Sequence, residues 1–96
     1  MDSAKVASAL EPLKAQFSTL GVRQLLLVGS VARGEYQSGS DVDFVVEFEG
    51  PATFFAYMEL VELLEKALEL PVDLATINTL RPEIADTVLS EARRVA

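Results

Sequence analysis

The chain contains no cysteine and no histidine among its 96 residues. Without cysteine there is no disulfide framework and no thiolate metal site, which is consistent with a reducing interior. Without histidine there is no Ser-His-Asp triad and no imidazole base, so any bound metal must be held by oxygen ligands. The chemistry that remains rests on carboxylates, hydroxyls and basic side chains.

Positive charge and long apolar runs are also scarce. Lysine and arginine number 8 against 15 acidic residues, and the resulting net charge of -7 argues against direct binding of nucleic acid. No apolar run approaches the ~20 residues of a membrane span, and the start Met1-Asp2-Ser3 lacks the basic region of a signal peptide. We therefore expect a cytoplasmic protein that binds neither nucleic acid nor membranes.

The residues that are present have the composition of one folded domain over positions 1–96. Half of them are hydrophobic and 24% are charged, a balance typical of globular proteins. A chain of this length buries roughly 60 to 70% of the surface it exposes when unfolded. We therefore expect a single domain that folds without disulfides.

The hydrophobic pattern predicts helices that alternate with short strands. Val6, Leu10, Leu13, Phe17 and Leu20 follow a helical spacing, and Pro12 either kinks that helix or marks its start near residue 11. Strands are expected over three ranges, 22–28, 41–48 and 72–77.

Two further helices are expected, one after a Thr53 cap and one opened by Pro82, with Arg93 and Arg94 in its final turn. Their inward faces are predicted to carry Phe54, Met58, Val61, Leu64 and Leu68 in the first, and Ile84, Val88, Ala92 and Val95 in the second. The fold class is therefore α/β (α+β), a small mixed β-sheet of about three strands with helices packed on one face.

The segment Gly29-Ser30-Val31-Ala32-Arg33-Gly34 directly follows the first predicted strand. Gly29 permits a sharp turn, and the next residues are expected to open a short helix whose free N–H groups attract phosphate. Ser30 can add a hydroxyl donor, and Arg33 either approaches the phosphates or fixes the loop by an ion pair. A plain strand-to-helix turn is the alternative. A P-loop is excluded because Glu35-Tyr36 stands where Lys-Ser/Thr is required.

Asp41 and Asp43 leave the same face of the second strand, with Cα atoms roughly 6 to 7 Å apart. Such carboxylates repel each other and raise one another's pKa unless a cation lies between them, and Mg²⁺ is the cation that favours hard oxygen ligands. A solvated pair at a strand start is the alternative. An EF-hand is excluded by Val46 and Ala52 at its glycine and glutamate positions, and a haloacid-dehalogenase motif by the reversed order of strand and loop.

Asp73 opens the third strand, which follows a helical crossover of the kind that joins parallel neighbours. Placing that strand beside the second one brings Asp73 level with Asp41 and Asp43, although a polar residue at a strand entrance is an equally simple interpretation. Three carboxylates carry about -3 and two Mg²⁺ ions +4, so the loaded site would attract a nucleoside triphosphate despite the acidic composition.

Taken together, these segments resemble the minimal nucleotidyltransferases of the DNA polymerase beta superfamily, the MNT antitoxin type. The resemblance is carried by Gly29-Ser30-x-Ala32-Arg33-Gly34, by Ser40-Asp41-x-Asp43 and by Val72-Asp73-Leu74, and it covers nearly the whole chain. Val28 departs from the phenylalanine that many relatives carry before Gly-Ser, a difference that affects packing alone.

The resemblance implies an enzyme in which Asp41, Asp43 and Asp73 are the catalytic and metal-binding residues, with two Mg²⁺ ions. It further implies ATP as substrate, bound by Gly29, Ser30, Arg33 and Ser40. The partner that it implies is a HEPN-type toxin, an all-helical ribonuclease, and the oligomeric state is left open.

Three interpretations of the function follow. The first is Mg-dependent transfer of a nucleoside monophosphate, AMP from ATP, to a hydroxyl such as a toxin tyrosine. The second is an antitoxin that neutralises its toxin by binding alone. The third is a nucleotidyltransferase for a small molecule such as an antibiotic, which usually requires a further helical domain.

Overall fold

The computed structural model describes residues 1–96, and its N-terminal segment is a kinked helix. Helix α1 spans Ser3–Leu10, a 3-10 turn follows over Glu11–Leu13, and α2 spans Lys14–Thr19. The Asp2 carboxylate caps α1 by accepting a 2.9 Å hydrogen bond from the Lys5 N–H. Since the proline within the 3-10 turn has no N–H to continue the α-helical ladder, the kink alternative is confirmed.

Four strands form one mixed sheet in the order β3-β2-β1-β4. They span Val22–Val28 (β1), Val42–Phe48 (β2), Val72–Thr76 (β3) and Arg93–Arg94 (β4), and the short helix α3, Gly29–Ala32, follows β1 directly. β1 pairs antiparallel with β2 and β4, whereas β2 and β3 are parallel. The expected mixed sheet is confirmed, with a two-residue fourth strand that the hydrophobic pattern does not indicate.

The two faces of the sheet have different environments. Leu27, Phe44 and Leu74 are aligned across β1, β2 and β3, and all three belong to the hydrophobic core together with residues of α1, α2 and the helix that follows β2. Because neighbouring side chains on a strand point to opposite faces, Asp43 and Asp73 lie on the other face. The expected packing of helices on the apolar face is confirmed, and it leaves these carboxylates outside the core.

Helix α4 spans Phe54–Leu68, and Thr53 caps it by accepting a 3.0 Å hydrogen bond from the Ala56 N–H. Its buried row is Leu60, Leu64 and Leu68. Phe54 is 79% exposed and Met58 37% exposed, so the prediction that these two side chains face inward is wrong. In the first half of the helix, Tyr57 and Leu60 face the core in place of Phe54 and Met58.

The C-terminal segment differs from its prediction. After a 3-10 turn over Ile77–Thr79, helix α5 spans Pro82–Glu91 and contains no buried residue. The predicted inward position of Ile84 is wrong, since it is 46% exposed. The two arginines expected in the final helical turn form β4 instead, because the chain pairs with β1, where the Val95 N–H donates to the Leu25 carbonyl at 2.9 Å. No helix combines the length and hydrophobicity needed to cross a lipid bilayer.

Candidate active site

The register of two parallel strands aligns two of the predicted catalytic carboxylates. Asp43 of β2 lies directly beside Asp73 of β3, and Val42 beside Val72. Asp41 comes immediately before β2, two residues from Asp43. The sheet therefore brings three acidic residues from two segments to one end of two adjacent strands, as the crossover argument expects.

Gly29 lies directly against the Asp43 carboxylate. Val28 is aligned with Asp43 across β1 and β2, so the next residue turns over this carboxylate. A Cβ at position 29 would lie 3.2 Å from both Cβ and Cγ of Asp43 and would overlap its Oδ2 atom. The φ angle of Gly29 is +72°, a region that side chains disfavour. Glycine is therefore required here for two reasons, backbone conformation and lack of space.

The electrostatics of Asp43 reflect its position among the other carboxylates. Partial burial raises the pKa of Asp43, and the charges of Asp73 and Asp41 raise this pKa further, whereas Arg33 lowers it. Asp41 and Asp73 are exposed, and Asp43 is half-buried. The three carboxylates therefore concentrate negative charge around a partly dehydrated Asp43. A bound cation would relieve their mutual repulsion.

The donor set fits a hard divalent cation, although the side chains are not gathered around one point. Every candidate donor is a carboxylate oxygen, the ligand type that Mg²⁺ prefers. No three acidic side chains lie close enough together to hold a metal ion as they are placed. The aligned backbone is thus in position, while the convergence of the three carboxylates remains a prediction. Mutual repulsion, which contributes to the raised pKa of Asp43, opposes that convergence without a cation.

Arg33 is engaged in ion pairs at the end of α3. Its Nε atom lies 3.1 Å from Oε2 of Glu35, and its Nη1 atom lies 3.4 Å from Oε2 of Glu91 in α5. The hydrogen bonds that Arg33 donates to Glu35 and Glu91 raise the pKa of Arg33. Of the two roles considered for this arginine, the ion pair that fixes the loop is the one seen, and contact with phosphate remains a prediction.

Ser30 is the second residue of α3, and Ser40 lies near the end of the loop that leads from α3 to β2. The Ser30 carbonyl accepts a 2.7 Å hydrogen bond from the Glu35 N–H, and the Ser40 N–H donates to the Gln37 carbonyl at 3.1 Å. Both residues are half-buried. Their main chains therefore close the loop, and binding of a nucleotide by their hydroxyl groups remains a prediction.

Arg93 is a residue of this region whose place the sequence pattern does not reveal. Its Nε atom donates a 3.2 Å hydrogen bond to the Ala32 carbonyl, at the end of α3. The side chain thereby joins β4 to the short helix that follows Gly29. A signal for this contact is absent from the sequence, because it depends on β4 returning to the edge of β1.

A model of the nucleotidyltransferase domain family matches residues 8–95. The chain belongs to this family. It is 45% identical over 71 residues to the protein adenylyltransferase MntA of Thermococcus cleftensis, in an alignment that covers 74% of this chain and 72% of that protein. The expected enzyme class, a nucleotidyltransferase, is thus confirmed.

Two solved structures share the fold. One is described as a minimal nucleotidyltransferase, with a TM-score of 0.84, 32% identity and coverage of 97% of this chain and 95% of the other. The second contains a tri-AMPylated Shewanella oneidensis HEPN toxin in complex with an MNT antitoxin. The match to it has a TM-score of 0.66, 19% identity and coverage of 95% of this chain and 69% of the other. The expected resemblance to minimal nucleotidyltransferases is confirmed.

Proposed function

We propose that this nucleotidyltransferase transfers AMP from ATP to a tyrosine hydroxyl of a HEPN ribonuclease toxin, with Mg²⁺ as cofactor, and so acts as an antitoxin. The observation that carries the proposal is the alignment of Asp43 with Asp73 directly beside the Gly29 turn. The names of two similar proteins supply the acceptor class, since one is a protein adenylyltransferase and the other is bound to an AMPylated HEPN toxin.

The proposed reaction replaces one phosphorus–oxygen bond by another. The acceptor oxygen forms a bond to the α-phosphorus of ATP, the bond from this phosphorus to the bridging oxygen breaks, and pyrophosphate leaves with the electron pair. Asp73 accepts the hydroxyl proton and, because it is exposed, returns it to solvent. Two Mg²⁺ ions held by Asp41, Asp43 and Asp73 would supply charge stabilisation at the attacking and leaving oxygens.

The remaining residues of the site would hold ATP. The first N–H groups of α3 and the Ser30 hydroxyl are suited to the triphosphate, which is the nucleotide-binding role expected for Gly29, Ser30, Arg33 and Ser40. Since Asp41 and Asp73 are exposed, the carboxylates are accessible to a hydroxyl on the surface of another protein. This accessibility favours a protein acceptor over a small molecule that needs a deep pocket.

A second candidate function, neutralisation of a toxin by binding alone, is favoured by a different observation. Phe54 is 79% exposed, Phe55 71% and Met58 37%, and all three lie in the first two turns of α4. Clustered exposed apolar side chains of this kind mark protein interaction sites. A toxin bound on this surface would be neutralised by contact, without transfer of AMP.

Labelled ATP separates these candidates. The protein is incubated with Mg²⁺, α-labelled ATP and the protein encoded by the adjacent reading frame, and label on each protein is measured. We expect label on the partner, and a loss of about 100-fold or more in Asp43→Asn, because this substitution removes a charge at the aligned pair. Glu62→Gln is the matched control, since it neutralises an exposed carboxylate on α4.

Two other results of this experiment would support the alternative functions. Neutralisation of the partner's ribonuclease activity that persists in Asp43→Asn without any label would support the binding function. Label that appears on neither protein, together with release of pyrophosphate only when a small hydroxyl compound is added, would support the third interpretation.

A further inference from the structure

The strand that carries Asp73 is an edge of the sheet. In the order β3-β2-β1-β4, β3 pairs with β2 alone. The Pro71 carbonyl, which immediately precedes β3, accepts a 3.0 Å hydrogen bond from the Val42 N–H and therefore faces β2. Since backbone groups of successive residues point to alternate sides of a strand, those of Val72 and Leu74 face away from β2. They lie along the free edge, where no strand of this chain bonds to them.

Two side chains of α4 form hydrogen bonds with these edge groups. The Glu65 Oε2 atom accepts a 3.0 Å hydrogen bond from the Val72 N–H, and the Tyr57 hydroxyl donates to the Leu74 carbonyl. Val72 and Leu74 are the residues immediately before and after Asp73. The free edge of β3 is thus held on both sides of the carboxylate.

The sequence of α4 explains how one helix makes both contacts. Tyr57, Val61 and Glu65 recur every four residues, so they form one row on the helix surface. This row is adjacent to the buried row of Leu60, Leu64 and Leu68, which anchors α4 in the core. The later helix residue, Glu65, meets the earlier strand residue, so helix and strand run in opposite directions. The buried leucines therefore anchor α4 in the core, and Tyr57 and Glu65 of the adjacent row bind the edge of β3.

We propose that Tyr57 and Glu65 are positioning residues that fix Asp73 for the metal and the attacking hydroxyl. The inference rests on the proposed function, in which Asp73 binds metal and accepts a proton. Asp73 is exposed, so no packing around its side chain holds it, and the backbone of β3 sets the position from which its carboxylate extends. A five-residue edge strand held only by its ladder to β2 would fray, whereas hydrogen bonds at both neighbours of Asp73 keep that backbone in place.

The test compares variants of Glu65 that differ in hydrogen bonding but have the same charge. Glu65→Gln retains an oxygen that can accept from the Val72 N–H, whereas Glu65→Ala does not. Mn²⁺ binding is measured by calorimetry, and exchange of the Val72 amide hydrogen by NMR. We expect Glu65→Ala to weaken Mn²⁺ binding about 10-fold and to accelerate exchange at Val72 by a similar factor, because outer contacts orient metal ligands. Glu65→Gln should leave both measurements close to those of the unmodified protein.

Tyr57→Phe tests the other contact with minimal change in packing. Loss of one hydrogen bond to the Leu74 carbonyl should weaken Mn²⁺ binding about 5-fold, the equivalent of ~1 kcal/mol. Glu62→Ala is the control on the exposed face of α4 and should change neither measurement. Circular dichroism establishes that each variant is folded.

The possible results separate this inference from the proposed function. If Glu65→Ala binds Mn²⁺ as tightly as the unmodified protein, or if Glu65→Gln is as impaired as Glu65→Ala, the positioning role is overturned. If the unmodified protein takes up no Mn²⁺, the proposed function is overturned, and with it the role of Asp73 toward metal. The exchange of the Val72 amide then still determines whether Glu65 holds the edge strand.

Discussion

The two faces of the seven-residue strand β2 have different roles. On one face, Val42, Phe44 and Val46 are each exposed by 1% or less and form part of the core. On the other face, Asp43 is half-buried among charges that raise its pKa. The first face stabilises the fold, and the second, on which Val45 is also buried, holds a carboxylate in an environment that by itself is unfavourable.

This difference has a simple physical origin. A strand alternates its side chains, so a residue on the site face is held in place by neighbours that point into the core. Asp43 lies between Val42 and Phe44, both of which are fully packed. The packed core residues therefore limit the movement of Asp43. The electrostatic repulsion at Asp43 is tolerated because the free energy gained by burying Val42 and Phe44 outweighs it.

Removing the apolar support should have the largest effect. Phe44→Ala deletes a large side chain that is 1% exposed, and we expect a loss of about 3–5 kcal/mol in the free energy of unfolding. Asp43→Asn keeps the shape of the side chain and relieves repulsion, so its free energy of unfolding should be unchanged or higher. Denaturant titration followed by circular dichroism measures both variants. A larger loss in Asp43→Asn than in Phe44→Ala would contradict the division of roles between the faces.

Substitution of Gly29, which lies against the Asp43 carboxylate, should have the next largest effect. Gly29 and Gly34 have similar φ angles, +72° and +76°, but only at Gly29 would a Cβ meet another atom, in Asp43. Gly34→Ala should therefore cost about 1–2 kcal/mol from backbone strain alone. Gly29→Ala should cost more and should also displace Asp43, with loss of AMP transfer. Unfolding free energies and label transfer are measured for both variants.

The matched glycines also define the result that would contradict this account. Equal losses of stability and of transfer in Gly29→Ala and Gly34→Ala would mean that close approach to the carboxylate has no consequence. A partial recovery of stability in the double variant Gly29→Ala, Asp43→Ala would support it, because the second substitution removes the atoms that overlap.

The strands and their pairing directions could be predicted from the sequence because several local signals agree. β1 is bounded by Gly21 and Gly29, and five of its seven residues are apolar. The short loop to β2 favours an antiparallel pair, and the helical crossover to β3 favours a parallel one. These arguments place Asp73 level with Asp41 and Asp43, and the structure adds the register in which Asp73 lies beside Asp43.

The remaining features depend on tertiary contacts that have no local signal. β4 consists of two arginines and forms only because β1 offers an edge. Hydrophobicity at helical spacing does not distinguish Phe54, which is exposed, from Leu60, which is buried. The convergence of carboxylates is likewise beyond sequence patterns, since it depends on side-chain directions and on the charge that a cation would supply.

The smallest expected effect is the dependence of stability on pH at the site face. Because the pKa of Asp43 is raised in the folded protein, the folded state favours the protonated carboxyl. The stability contributed by this group is fully present below its ordinary pKa of 3.8 and is lost as pH rises through the raised value. Asp43→Asn should therefore gain stability relative to the unmodified protein as pH rises through this window.

Thermal unfolding of both proteins at a series of pH values measures this difference, and saturating Mg²⁺ sharpens it. A cation bound at the carboxylates favours their charged form, so it should reduce or reverse the advantage of Asp43→Asn at neutral pH. The same addition should leave Glu62→Gln unaffected relative to the unmodified protein. A pH dependence that is identical in Asp43→Asn and the unmodified protein would mean that the two faces of β2 differ in composition but not in electrostatic strain.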